Sequence, residues 1–159
     1  MLAMAISLQM QEKLNKIEKL IQSGYTLKKT NFGFVDFRNS SDKPVSIGGL
    51  KSPAGFSWIA FFFPFAVCSQ IKEWSYFYIN GCLFVILSII HGATGNDLSS
   101  YGGIGLGVTY GYMFPYLRKI AKDDGTVDEP RVKFIIVGIL LSIVSVVPSL
   151  VIDFICGNF

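Results

Sequence analysis

The side chains in this chain that could do chemistry are few and far apart. It has one histidine, His91, and two acidic residues, Asp97 and Asp153, close to strongly apolar stretches. A histidine with two carboxylates can bind a metal ion or relay protons. Ionisable groups at membrane depth are functional candidates by default. The plainer reading is that His91 ends a helix and Asp153 sits among lipid headgroups. The three cysteines, Cys68, Cys82 and Cys156, form no C-x-x-C pair, so a zinc site is not expected. Their odd number argues against a disulfide framework. Cys82 lies inside an apolar run and reads as a small buried hydrophobe. Cys156 offers a place for lipid attachment or oxidation. No G-x-S-x-G elbow, H-E-x-x-H pair or phosphate-binding loop is present. The expectation is therefore a non-enzymatic protein without cofactor or metal.

A second pattern is made of small residues. Gly103, Gly107 and Gly111 form G-x-x-x-G-x-x-x-G, and Gly138, Ser142, Ser145 and Ser149 repeat at spacings of three and four. Such rows lie on one helix face and let another backbone approach closely. The short basic connection at 117–133 predicts that the two helices are antiparallel neighbours. Their small faces would then serve packing within the chain or association with a second copy. Asn80 and Thr109 are candidates for hydrogen bonds between helices, and Pro148 predicts a kink.

The elements that must carry these residues follow from composition. Apolar residues make up 51% of the 159 residues and charged residues 16%, against roughly 25% in a typical soluble domain. So apolar a chain is not disordered. A single small core could not bury that much apolar surface either. The expected class is an all-α integral membrane protein. Four apolar stretches follow one another at 55–71, 74–91, 100–117 and 132–154. A straight helix needs about 20 residues to cross the hydrocarbon. The first stretch is short and interrupted by Pro64, which cannot donate a backbone hydrogen bond.

Charge decides the threading. Residues 1–53 hold eight Lys/Arg and residues 117–133 hold five; Lys72 is the remaining one. Four full spans would split these across the membrane. Three spans at 74–91, 100–117 and 132–154, with 55–71 re-entrant or interfacial, put all 14 on one side. The positive-inside rule favours the second arrangement, with the N-terminus cytoplasmic and the C-terminus periplasmic or extracellular. The broken segment must then pack on the bundle to cover its backbone. The aromatic residues crowding 56–78 suit the membrane–water boundary. The chain therefore divides into a cytoplasmic region, 1–53, and a membrane domain, 54–159.

Within the first region, residues 5–23 read as an amphipathic helix ended by Gly24, with Lys13, Lys16 and Lys19 among its apolar positions. Such a helix can lie on the anionic inner leaflet or pack on a partner or second copy. The apolar start at residues 1–10 does not read as a signal peptide, since no basic residue precedes it. Residues 25–37 favour one short hairpin. Residues 39–51 read as loop. The acidic run Asp123, Asp124, Asp128 and Glu129 reads as a solvated loop.

The stretch Ser57-Trp58-Ile59-Ala60-Phe61-Phe62-Phe63-Pro64-Phe65, followed by Lys72-Glu73-Trp74 and later by Tyr116-Leu117-Arg118-Lys119, resembles a bacterial family of small inner-membrane proteins of unknown function. Members carry an aromatic W-A-A-F-F-F-G-P-type membrane hairpin. The resemblance spans residues 55–120. Phe63 stands where that family has Gly before the proline, and the helix at 132–154 is additional. The resemblance implies a bacterial inner membrane and no particular activity.

The functional expectation is an accessory or scaffold subunit that recruits or regulates a partner. The alternative is an oligomeric transporter or channel-forming subunit, and a third reading is a membrane enzyme using His91, Asp97 and Asp153. The expected partners are the lipid bilayer and a second copy or another membrane protein. A net charge of only +3 gives no reason to expect nucleic acid.

Overall fold

The computed structural model describes residues 7–49 and 52–157. The first residues of the expected helix, Ala5 and Ile6, lie outside that range, as do residues 1–4 of the apolar start and residues 50–51 of the expected loop. Eight elements follow in order: α1 (Leu8–Gln22), β1 (Thr26–Lys29), β2 (Val35–Arg38), α2 (Trp58–Phe62), α3 (Pro64–Gln70), α4 (Ser75–Thr94), α5 (Ser99–Asp123) and α6 (Arg131–Cys156). The fold is mostly helical but not all-α. The strands β1 and β2 form an antiparallel hairpin in which Thr26 faces Arg38 and Lys29 faces Val35.

Ser7 caps α1, its hydroxyl accepting from the Met10 N–H at 3.3 Å. Much of the apolar face of α1 packs inside the chain, with Leu14 and Ile17 buried and Leu8 left exposed. Ile17 packs with Phe37 of β2, Ala54 and Tyr116 of α5, all fully or almost fully buried. These contacts dock the helix on the hairpin and α5. The hairpin turn carries Gly33 at φ +84°, a conformation that disfavours side chains. An added Cβ there would stand 2.0 Å from Ser75 Oγ, so the hairpin tip rests on the start of α4.

The aromatic segment is broken where its proline requires. Phe63 leaves helical geometry, and Pro64 opens α3 at the first helical position, where its missing N–H costs nothing. The two pieces have 5 and 7 residues. Together they would reach about 18 Å if straight, short of the ~30 Å hydrocarbon.

Two helices, α4 with 20 residues and α6 with 26, are long and apolar enough to cross a membrane. Only 22% and 11% of their most apolar windows are buried within the chain. The core helix of a soluble domain would have that surface covered. A third helix of this kind is not shown among the described residues. With 25 residues, α5 is long enough, but glycine, serine and tyrosine dilute its apolar character. Its two halves also differ. Tyr101, Ile104 and Val108 are exposed, whereas the stretch from Tyr110 to Lys119, apart from a half-buried Tyr112, is buried at the centre of the molecule.

The helices α4 and α6 lie side by side. Asn80 Nδ2 donates to Ser145 Oγ at 2.8 Å, and Ser88 Oγ donates to Asp153 Oδ2 at 3.0 Å. Both pairs are separated by 65 residues. A constant offset of this kind requires parallel helices, and α5 is the return between them.

Candidate functional site

Charged residues from six parts of the chain meet at one end of the helices. The centre is Arg118, near the end of α5, whose side chain is only 9% exposed. Its guanidinium addresses both carboxylate oxygens of Asp128, with Nη1 to Oδ1 at 2.8 Å. Two parallel N–H···O bonds suit this pair, since the planar fork matches the carboxylate. Gln70, the last residue of α3, donates its amide to the same carboxylate at 3.1 Å. The backbone agrees, because the Glu129 N–H donates to the Gln70 carbonyl at 3.1 Å. The loop after α5 is thus fixed to the end of α3.

Next to Arg118, Lys119 reaches Glu18 of α1 at 2.6 Å and Asp123 at 2.7 Å. Burial pulls the Lys119 pKa down, but the bonds and charges of Asp123 and Glu18 outweigh it and hold the ammonium above its ordinary value. The hydrogen bond and charge of Lys119 hold the Glu18 carboxyl below the usual glutamate range. Glu129 collects two cations, Lys133 at 2.7 Å and Lys72 at 3.5 Å. The Lys133 bond is the main reason its carboxyl is also held low. Finally, Lys29 of β1 pairs at 2.8 Å with Glu73, a side chain only 6% exposed, which also accepts from the Ser75 hydroxyl. This collar ties the N-terminal region (α1 and the hairpin) to the ends of α3, α4, α5 and α6. The acidic residues Asp128 and Glu129 are therefore structural partners and not a solvated loop.

The small-residue rows serve a different contact from the expected one. Gly107 of α5 receives α2 and Gly111 receives Phe56 just before it: an added Cβ would stand 2.8 Å from the Phe61 carbonyl and 2.3 Å from the Phe56 ring, respectively. Gly138 of α6 receives α3, with the Phe65 carbonyl at 2.9 Å from such a Cβ. Gly103 has open space around it. The rows therefore do not make α5 and α6 neighbours. The Pro-broken aromatic segment is wedged between them, because its bent backbone and phenyl rings need surfaces without Cβ atoms. Ser142 and Ser145 donate back to carbonyls of their own helix, Gly138 and Ser142, both at 2.8 Å. Ser145 also accepts from Asn80 across the α4–α6 contact, where Gly81 would place a Cβ 2.6 Å from the Ser145 carbonyl. Asn80 thus bonds between helices as expected. Thr109 bonds to its own helix at the Gly105 carbonyl, 2.8 Å away.

Of the residues expected to form a polar cluster, Asp97 feels the charge of His91, and Asp153 bonds to another helix. Asp153 accepts from Ser88 and links α6 to α4. Asp97 accepts from the Ser99 N–H at 2.8 Å at the start of α5. Its carboxyl is held low by the Ser99 bonds first, with the charge of His91 adding to them. Among the described residues, no three His, Cys, Asp or Glu side chains converge to hold a metal ion. Cys82 is exposed on the flank of α4 and is not the buried residue expected; Cys68 is the buried cysteine, and Cys156 is exposed.

No family model, curated protein or solved structure matches the chain. Sequence reasoning missed Glu18, Glu73, Asp128 and Glu129 as collar members. A partial signal existed, since Lys119 and Asp123, and Glu129 and Lys133, stand at the four-residue helical spacing of ion pairs.

Proposed function

We propose that this protein is a non-enzymatic accessory or scaffold subunit of a bacterial inner membrane. In this reading α4, α5 and α6 cross the bilayer, the α2–α3 segment enters it partway, and the head of α1 and the hairpin lies on the cytoplasmic face. One observation carries the proposal: the Glu18–Lys119 contact, with its neighbours at Glu73, Asp128 and Glu129, fastens a folded head to the ends of the helices. Four full spans would put Glu18 and Lys119 on opposite sides of the membrane, so the contact supports three. All the collar lysines and arginines then lie on one side, as positive-inside insertion favours. The exposed aromatics Trp58, Phe62 and Phe63 suit the boundary layer beside that head. The resemblance of residues 55–120 to small inner-membrane proteins agrees with this location. A rigid polar platform held at the membrane surface suits recruitment of a partner. The intramembrane polar residues Asn80, Ser88 and Asp153 fit a structural role, since they join α4 to α6.

The test is purification of the tagged protein in a gentle detergent, with mass spectrometry of what accompanies it. The expected result is a specific protein that is lost when Lys16 and Lys19, exposed on α1, are changed to Glu in a variant that still purifies as folded protein. Recovery of the protein alone as a defined multimer that passes ions in liposomes would contradict the scaffold reading and establish the pore-forming one.

A further inference from the structure

We propose that the groove between α4 and α6 binds an anionic phospholipid, with one acyl chain along the groove and the phosphate at Lys72 and Lys133. This rests on the reading that α4 and α6 cross a bilayer. The groove has a volume of about 680 Å³, and Trp74, Tyr78, Val85, Leu141, Val144 and Pro148 are among the residues that line it. It flanks the line along which the helices touch, where Gly81 meets the Ser145 backbone. From Trp74 to Val85 it extends over 11 helical positions, about 16 Å at 1.5 Å each. That is close to half of a ~30 Å hydrocarbon core, the depth of one leaflet.

The charge lies beyond the Trp74 end of this groove, where Glu129 brings Lys133 of α6 to Lys72, and it identifies the occupant. Lys72 precedes Trp74 by two residues, and Lys72 and Lys133 share the single carboxylate of Glu129. Their side chains stay 42% and 61% exposed, so two ammonium groups at one carboxylate leave a positive excess facing outward. Because α4 and α6 are parallel, both helices point their positive dipole ends at this site. Neither has an acidic residue in its first turn or a side-chain cap; the nearest carboxylates, Glu73 and Glu129, stand just before the N-caps and are already paired with Lys29, Lys72 and Lys133. A basic pocket between membrane helices on the cytoplasmic side is the chemistry that selects anionic headgroups. A zwitterionic lipid would bring a cationic group along with its phosphate and leave the positive excess uncompensated, and an apolar partner helix would bring no counterpart at all.

The chain has two tryptophans, so Trp58→Phe leaves Trp74, a lining residue, as the only indole. This variant is placed in vesicles containing either brominated phosphatidylglycerol or brominated phosphatidylcholine with the same acyl chains, and quenching of Trp74 is measured. The expected result is preferential quenching by the anionic lipid, by about fivefold in relative binding for each lysine engaged. Lys133→Gln should cut the preference by about fivefold, and Lys72→Gln with Lys133→Gln should abolish it. Equal quenching by the two lipids would overturn the lipid site while leaving the spanning helices intact. A preference that survives the double substitution would overturn it too. Absence of quenching by either lipid would overturn both the site and the membrane reading beneath it. The comparison of the two lipids on the Trp58→Phe protein does not depend on how the lysine variants fold.

Discussion

Arg118 is the residue on which the collar depends most. It is buried beside Asp128, and a buried charge that loses its partner keeps its desolvation cost without the compensating attraction. Asp128→Asn keeps the shape and removes the charge. It is expected to lower stability by about 1.5–3 kcal/mol, the range for hydrogen bonds to charged groups, read from thermal unfolding in detergent. No change would mean that the pair is solvated in practice. Acid should act on the same contacts. The carboxyls of Glu18 and Glu129 are held below their ordinary value of 4.5 by Lys119 and Lys133. A depressed folded-state pKa stabilises above the unfolded value and loses that contribution as pH falls through the folded one. The head should therefore stay docked at neutral pH and loosen only below about pH 4.5. Hydrogen exchange in α1, measured at pH 7 and pH 3.5, checks this, and equal protection would contradict it.

Among the elements, the broken segment organises the helices. The Phe61 carbonyl lies against Gly107 and the ring of Phe56, just before α2, against Gly111, so a side chain at Gly107 must displace α2 and one at Gly111 must displace the Phe56 ring. Gly111→Leu should cost about 1–3 kcal/mol by overpacking. Gly103→Leu, in open space on the same helix, should be neutral or stabilising by up to about 1 kcal/mol through helix propensity. Equal effects at the two positions would contradict the assignment of α2 to the Gly107–Gly111 surface. The elements themselves were legible in the sequence: the break at Pro64, the hairpin near Gly33 and the helices over 74–91, 100–117 and 132–154 lie close to where pattern and punctuation put them. Which element fills which groove was not. Small residues announce a close approach without naming the partner, and a short loop between α5 and α6 suggested a contact that the aromatic wedge occupies. The fate of the α1 apolar stripe was hidden for the same reason. Amphipathicity marks a face to be covered, and only the position of Phe37 and Tyr116 shows that the chain covers much of it itself.

At the scale of the whole molecule, charge and apolar surface are segregated along one axis. The collar residues Glu18, Lys29, Lys72, Arg118, Lys119 and Lys133 occupy one end, and the flanks of α4 and α6 expose isoleucine, valine and leucine. Such a division has a physical rationale in a bilayer, where apolar flanks meet lipid and the ion pairs meet water. The least apolar of the three long helices, α5, bears most on this account, because parallel α4 and α6 require it to return the chain through the same slab. Single cysteines placed at Asn96, before α5, and at Lys122, at its end, in a background lacking the native cysteines, can be probed in intact cells with a membrane-impermeant thiol reagent. Three spans with a cytoplasmic head predict that the cysteine at 96 is labelled from outside and that the cysteine at 122 is labelled only after the membrane is opened. Labelling of both positions from the same side would mean that α5 does not cross, and the account of a three-span protein with a collared cytoplasmic head would be wrong.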